Sequence, residues 1–244
     1  MPYPIEQDLL PIASGSQLRY SLYRQRGAGV HPTPLLICLH PGWSGQVPSP
    51  HYGEQFLSSM FIPAFVETGA IIASPDCPSG AWNNSSSRLA ILGLIDHLVD
   101  CCGVDQSRVS LAGYSAGGWG AWYLLQLSPG GFSSSIMLAT LPVIDPVDRF
   151  EENFPKTNEL LAGRLDEWIG RVPDVPIYII HSQDDELMPY ANARLSYGAL
   201  VAAERQVELH SINGVSHFDA DGYIGALRES RAWLMNTWRP SART

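Results

Sequence analysis

Positive charge is scarce in this chain of 244 residues. The sequence has 15 Lys and Arg residues against 24 Asp and Glu residues, which gives a formal net charge of −9. Lys156 is the only lysine. Because phosphate recognition needs a positive surface, this balance excludes nucleic acid as an expected partner. It also mildly disfavours strongly anionic substrates.

Long apolar runs and patterned cysteines are lacking as well. No stretch approaches the roughly 18 apolar residues of a membrane span, so no membrane association is expected. The four cysteines fit neither a metal-ligand spacing nor a disulfide framework, so we expect reduced cysteines. No His/Cys/Glu cluster has metal-ligand spacing and no glycine-rich phosphate loop follows a predicted strand, so neither a metal nor a cofactor is expected. The first ten residues do not show the basic-then-apolar pattern of a secretion signal. This predicts a cytoplasmic protein and leaves a processed secreted form open.

Short apolar runs alternate with helical patterns along the chain. Continuous apolar runs at 35–39 and 70–73 indicate buried parallel strands, and the alternation over 18–23 is typical of an antiparallel edge strand. The pattern predicts an α/β fold, with one domain over 1–244 and about six to eight strands in a mostly parallel open sheet with helices on both faces. The long segment 141–176 is expected to form either a small lid or a surface helix.

Helical periodicity and stop signals predict six helices. The first is expected to be broken by Pro63, and Gly103 is expected to end the second. The predicted spans are 52–66, 86–101, 116–127, 158–170, 191–203 and 222–238. Further strands are predicted at 109–112, 135–139, 177–180 and 206–212.

The segment 109–120 carries Gly-x-Ser-x-Gly between an apolar strand and a small-residue helix start. A nucleophile elbow needs this order, because its serine sits on a strained turn between a strand and a helix that pass closely. Gly113 and Gly117 leave room for that approach. The new helix also directs its first N–H groups towards the place where an oxyanion would form. Ser115 is therefore the predicted nucleophile.

A serine hydroxyl needs a base, and the base needs an acid to fix its tautomer. His217 lies in a polar loop and is the only histidine between the last predicted strand and the last predicted helix, so it is the predicted base. The acid should follow the preceding strand, where Asp184, Asp185 and Glu186 stand in a row. The pattern alone does not separate the two aspartates. At least two of the three acids need other roles, such as capping the helix that starts near Tyr190.

On these motifs the chain resembles α/β-hydrolases of the small esterase type, close to feruloyl-esterase-like and polyhydroxybutyrate-depolymerase-like esterases and related predicted peptidases. The likeness runs from about residue 35 to about residue 233, and it also includes 74–78 with Trp82 and 104–109. The resemblance implies a single α/β-hydrolase domain that acts on a small-molecule ester. The matching motifs identify the superfamily and no particular substrate.

The resemblance also places the acid. In that family the acid loop reads His-Gly-x-x-Asp-x-x-Val-Pro. With His181 and Pro189 on the two ends of this pattern, the acid falls on Asp185. Ser182 and Met188 depart from the family pattern.

An oxyanion hole needs two backbone N–H groups. Ala116, the residue after the nucleophile, is the first predicted donor. The resemblance implies Gly42 as the second donor, with Pro41 in the place of the usual glycine, and Trp43 is the alternative donor. His40 is expected to brace this loop rather than to act as a second base.

Three tryptophans lie near a strand end or the elbow, namely Trp43, Trp82 and Trp119. We expect them to line an acyl or alcohol pocket, and packing in the core is the alternative for each.

Three functions follow from these observations. The first is a serine esterase with the triad Ser115, His217 and Asp185, which works through an acyl-enzyme. The second is a peptidase or amidase of the prolyl-oligopeptidase type with the same triad. The third is a hydrolase-fold protein that binds a ligand without catalysis. The sequence specifies neither the acyl group nor the oligomeric state.

Overall fold

A computed structural model of the chain describes residues 3–12, 15–25, 32–42, 51–78, 80–142 and 165–239. Within them, eight strands form one sheet in the order β1-β2-β4-β3-β5-β6-β7-β8. The strands are β1 Ile5–Pro11, β2 Gln17–Tyr23, β3 Thr33–Leu39, β4 Ile71–Pro75, β5 Val104–Tyr114, β6 Ser134–Leu138, β7 Ile177–Ser182 and β8 Val207–Ile212. Strands β1 and β2 pair antiparallel, and β2 pairs antiparallel with β4. All pairs from β4 to β8 are parallel, which confirms the predicted fold class.

Helices cover both faces of this sheet. The described helices are α1 Tyr52–Phe56, α2 Ile62–Phe65, α3 Ser85–Cys102, α4 Ala116–Leu127, α5 Leu165–Arg171, α6 Tyr190–Ala202, α7 Ile224–Glu229 and α8 Arg231–Thr237. Alternate residues of β3 enter two separate cores, because successive side chains of a strand point to opposite faces. Leu35 and Ile37 pack with α3 and α4, whereas Leu36 and Cys38 pack with α2 and α7.

The antiparallel strand predicted at 18–23 is present as β2, but its predicted position at the edge is wrong. Strand β1 pairs with β2 over its whole length and forms the edge instead. Most β1 residues are exposed and several are polar, so the segment lacks the apolar run that marks a buried strand. Strand β2 is consequently paired along both of its edges, with β1 on one side and β4 on the other.

The helix predicted over 52–66 is interrupted before Pro63, which lies in the first turn of α2. A π-helical stretch, Leu57–Phe61, joins α1 to α2. Since proline has no N–H to donate to the preceding turn, the helix changes its hydrogen-bonding pattern just before it. The last predicted helix is likewise split into α7 and α8 at Ser230.

Two further predictions depend on parts of the chain that are only partly described. The lid predicted within 141–176 falls largely on 143–164, which lies outside the described residues; of the helix predicted over 158–170, only α5 is described. In the described part of the chain, no helix is both long enough and apolar enough to cross a membrane.

Candidate active site

Ser115 stands alone between the end of β5 and the start of α4. Its backbone has φ 53° and ψ −117°, a combination that side chains with a Cβ rarely adopt. The Ser115 N–H donates a hydrogen bond of 2.9 Å to the Leu138 carbonyl of the neighbouring β6, which helps to hold the turn. The side chain is half-buried. The structure thus places the predicted nucleophile on a strained strand-to-helix turn.

The glycines around Ser115 are required by close backbone contacts. A Cβ on Gly113 would lie 2.4 Å from the Gly117 carbonyl oxygen, and a Cβ on Gly117 would lie 2.0 Å from the Leu39 carbonyl oxygen. A Cβ on Gly118 would lie 2.5 Å from the Thr140 side chain. Helix α4 therefore passes directly over the ends of β3 and β5, as the spacing of the motif predicts.

The structure brings Ser115, His217 and Asp185 into one hydrogen-bonded chain. The Ser115 Oγ lies 2.9 Å from His217 Nε2, and His217 Nδ1 lies 2.8 Å from Asp185 Oδ2. Both His217 and Asp185 are buried. The N–H groups of Leu187 and Met188 donate to Asp185 Oδ1 at 3.0 and 2.6 Å, so the carboxylate is fixed from its own loop. This geometry separates Asp185 from Asp184, which the pattern of residue types could not do.

The two flanking acids bind the backbone of the histidine loop, which is the irregular segment 213–218 that carries His217. Asp184 Oδ2 accepts from the Gly214 N–H at 2.6 Å, and Glu186 Oε2 accepts from the His217 N–H at 3.0 Å. The hydrogen bond from His217 lowers the pKa of Glu186 below its ordinary value. No side chain caps α6, which follows Pro189, so the expected capping role is wrong.

A cavity of about 280 Å³ opens beside Ser115 and His217. Its described lining consists of Pro41, Gly42, Tyr52, Gln55, Phe56, Tyr114, Ser115, Ala116, Trp119, Leu187, Met188, His217, Phe218 and Ala220. Five of these side chains are aromatic, and no Asp, Glu, Lys or Arg occurs among them. The volume is at the small end of ligand pockets, so the cavity suits a small, largely apolar group.

No model of a known protein family and no curated protein matches the chain. A ferulic acid esterase superposes with a TM-score of 0.72 at 15% identity, over 98% of this chain and 100% of the other. A thermostable esterase superposes with a TM-score of 0.66 at 19% identity, over 95% of this chain and 62% of the other. The acylaminoacyl peptidase of Pyrococcus horikoshii superposes with a TM-score of 0.70 at 14% identity, over 100% of this chain and 43% of the other.

The chain has the α/β-hydrolase fold. The likeness to these solved structures covers nearly the whole of this chain. The chain spans less than two thirds of the thermostable esterase and less than half of the acylaminoacyl peptidase. At these identities the comparison establishes the fold and no reaction.

In this hydrolase fold, both expected oxyanion donors border the cavity. Ala116 opens the first turn of α4, where the N–H groups have no acceptor within the helix. Gly42 has φ 137°, a conformation that favours glycine. The alternative donor Trp43 lies outside the described residues, and so does its expected place in the pocket wall.

The other two tryptophans occupy different environments. Trp119 lines the cavity, as expected. Trp82 is not among the residues that line it: its buried indole N–H donates to the His40 carbonyl at 2.9 Å, and a Cβ on Gly120 would lie 2.4 Å from the Trp82 Cβ. Trp82 therefore packs against the end of β3, which agrees with the alternative of packing in the core and not with a place in the described pocket wall.

Two buried histidines brace the loops on either side of the site. His40 Nε2 accepts from the Cys77 N–H at 3.2 Å, so Nδ1 carries the proton and donates to the Pro41 carbonyl at 2.6 Å. His181 Nε2 lies 2.7 Å from the Met188 carbonyl. Burial lowers the pKa of both histidines below the ordinary value of 6.5, which keeps both rings neutral. His40 has no free nitrogen with which to act as a second base.

Sequence reasoning missed the role of Tyr114, which directly precedes the nucleophile. Its hydroxyl donates a short hydrogen bond to the His217 carbonyl. Burial, together with the charge of Asp185, raises the pKa of Tyr114 above its ordinary value, so the phenol stays protonated and remains a donor. Phe218, which is 73% exposed at the cavity mouth, was missed as well. Both residues are adjacent in sequence to triad members, and that adjacency is the only signal the sequence offered.

Metal chemistry was not expected. Among the described residues, no group of three or more His, Cys, Asp or Glu side chains is placed to hold a metal ion.

Proposed function

We propose that this protein is a serine hydrolase that cleaves carboxylic esters through an acyl-enzyme on Ser115. The observation that carries the proposal is the continuous hydrogen-bonded chain from Ser115 through His217 to Asp185, which opens onto a cavity. A serine, an imidazole and a buried carboxylate in this order form the unit that activates a hydroxyl for acyl transfer.

In the proposed reaction, the Ser115 Oγ attacks the ester carbonyl and passes its proton to His217 Nε2. Asp185 holds the proton on Nδ1 and stabilises the imidazolium that forms. The carbonyl π electrons move to oxygen and then return to expel the alcohol, which receives the proton from His217. A water molecule, deprotonated by His217, then cleaves the acyl-enzyme by the same steps and regenerates Ser115.

The negative oxygen of each tetrahedral intermediate is proposed to accept hydrogen bonds from the N–H groups of Ala116 and Gly42. Two features support this assignment: both residues border the cavity beside Ser115, and Ala116 lies at the positive end of the α4 dipole. Backbone N–H groups that are already in place need no reorganisation when charge develops on the oxygen, which is why such donors lower the barrier.

The lining of the cavity supports an uncharged acyl group of modest size. A carboxylate or ammonium on that acyl group would lose its hydrating water on binding. The described lining residues include no Asp, Glu, Lys or Arg to compensate the buried charge, so binding such a group would be unfavourable. The same observation favours an ester over an aminopeptidase-type substrate, because a free α-amino group would need a carboxylate partner. The aromatic side chains Tyr52, Phe56 and Trp119 offer flat surfaces for an apolar substrate.

The test combines active-site labelling with turnover. The protein is treated with a fluorophosphonate and the modified peptide is mapped by mass spectrometry, while p-nitrophenyl esters of increasing acyl length are assayed. We expect labelling at Ser115, and a fall in kcat of up to about 10⁶-fold in Ser115→Ala. Ser86→Ala, an exposed serine at the start of α3, is the matched control.

Two outcomes are informative against the proposal. Ester turnover that survives in Ser115→Ala would show that another group does the chemistry. Equal or faster cleavage of the anilide that carries the same acyl group as the best ester would move the assignment to an amidase or peptidase.

A further inference from the structure

Three consecutive acids hold three different parts of the histidine loop. Asp185 contacts the imidazole, and its neighbours Asp184 and Glu186 accept from two backbone N–H groups three residues apart, those of Gly214 and His217. The hydrogen bond from Gly214 to Asp184 measures 2.6 Å, and the one from His217 to Glu186 measures 3.0 Å. The loop 184–186 thus binds both the His217 side chain and the backbone of the loop that carries His217.

All four polar groups of His217 are engaged as a result. Glu186 accepts from its N–H, Tyr114 donates to its carbonyl, Asp185 binds Nδ1 and Ser115 lies at Nε2. Asp185 orients the ring but does not fix the position of the backbone that carries it. The two backbone contacts supply that second constraint.

The loop needs such a constraint because no regular structure holds it. Residues 213–218 lie between β8 and the last helices and belong to neither a strand nor a helix, and Gly214 turns the chain at φ 71°. In this segment the backbone N–H groups have no ladder partner, so an outside acceptor decides where they lie. A shift of about 1 Å in a catalytic group can cost about a hundredfold in rate.

Both flanking acids are exposed, and neither lines the cavity. The Ser216 hydroxyl also contacts the Glu186 carboxylate, which ties a further residue of the same loop to it. Neither Asp184 nor Glu186 is therefore placed to touch a substrate. Any effect on the reaction must reach it through His217.

We propose that Asp184 and Glu186 are positioning residues that fix the backbone of the 214–217 loop and so hold His217 Nε2 at the Ser115 hydroxyl. The inference rests on the proposed function for its kinetic consequence and on the geometry alone for its structural consequence. The acceptor oxygen matters in this account, and the negative charge is secondary.

The test compares paired variants of the full chain, Glu186→Ala with Glu186→Gln and Asp184→Ala with Asp184→Asn. A side-chain amide keeps an oxygen that accepts the same hydrogen bond, whereas alanine removes it. For Glu186→Ala we expect kcat to fall about tenfold, because a displaced His217 stabilises the transition state less well. KM should stay nearly unchanged, because the substrate pocket itself is intact. The amide variants should stay within about threefold of wild type.

Asp100, an exposed acid on α3, provides the matched control as Asp100→Ala and Asp100→Asn. The rate of fluorophosphonate labelling is measured on the same proteins. It depends on the His217–Ser115 contact and not on the choice of ester. Thermal unfolding shows that each variant is folded at the assay temperature.

Nuclear magnetic resonance of ¹⁵N-histidine-labelled protein gives a readout that does not need activity. The chain has seven histidines, and the His217 ring signals are assigned by their loss in His217→Ala. We expect these signals to move in Glu186→Ala and to stay close to wild type in Glu186→Gln.

The outcomes separate the two proposals. An inactive, unlabelled wild type whose His217 signals still move in Glu186→Ala would refute the esterase and support the positioning role. Unchanged signals together with unchanged kcat in both alanine variants would overturn the positioning role. So would an equal loss in the alanine and amide variants, since charge and not the hydrogen bond would then be responsible.

Discussion

Replacing Gly117 with alanine is the sharpest test of how the elbow is built. Gly117 lies in the first turn of α4, and the added Cβ would lie 2.0 Å from the Leu39 carbonyl oxygen and 2.8 Å from that of His40. Both neighbours are backbone atoms at the end of β3, so no side chain can rotate away to relieve the contact. The helix must move off the sheet by on the order of 1 Å to reach an ordinary van der Waals distance.

The expected cost follows from two opposing effects. In a helix, alanine is favoured over glycine by about 1 kcal/mol. Overpacking a buried site costs about 1–3 kcal/mol, and more where the backbone itself must shift. Because the contact here is backbone against backbone, we expect overpacking to win and the free energy of unfolding to fall by about 2 kcal/mol. For a chain of this length, that lowers the melting temperature by about 6 °C.

The assay measures stability and reactivity on one preparation. Urea unfolding followed by tryptophan fluorescence gives the free energy of unfolding, and fluorophosphonate labelling gives the reactivity of Ser115. A shifted α4 also moves the Ala116 N–H, so we expect labelling to slow by about 100-fold, which is the lower end of the effect of losing one oxyanion donor.

Gly198→Ala is the matched control, because Gly198 also lies inside a helix and a Cβ there meets nothing within 4 Å. This variant should gain about 0.5–1 kcal/mol from helix propensity and keep wild-type labelling. If Gly117→Ala proved as stable and as reactive as wild type, the close passage of α4 over β3 would be refuted.

Three further predictions concern buried polar side chains. Asp185→Asn should keep the fold but lower kcat by about 10⁴-fold, because the amide favours the wrong tautomer of His217. Steady-state kinetics measure this loss, and a loss below tenfold would contradict the prediction. Tyr114→Phe leaves the His217 carbonyl without its donor and should cost about 1–3 kcal/mol in urea unfolding, and an unchanged midpoint would count against that hydrogen bond. The third is a pH dependence. Burial lowers the pKa of His40 and His181, so below about pH 6.5 the unfolded chain takes up protons that the folded chain does not. The free energy of unfolding should therefore decrease as the pH is lowered through that window, by up to about 1.4 kcal/mol per pH unit for each histidine. Urea titrations that show no change of stability with pH would refute this prediction.

The sequence by itself determined the local structure around the nucleophile. The motif from Gly113 to Gly117 predicted a strand, a tight turn and a helix, and α4 spans the predicted residues 116–127. Gly103 predicted the end of α3 and adopts φ 67° there. These features depend on neighbours within a few residues, and local backbone preferences report on such neighbours directly. The α/β class followed for the same reason.

Only the tertiary structure decided which side chains meet. Asp184 and Asp185 are adjacent and chemically identical, and a single residue of register determines which one reaches His217. The polar strand β1 gave no apolar signal, so the sequence misplaced the edge of the sheet. Trp82 and Trp119 carry the same side chain, yet one supports β3 and the other lines the cavity. Contacts of this kind join residues that are far apart in the chain, and they are set by how the sheet and helices stack, which no local pattern encodes.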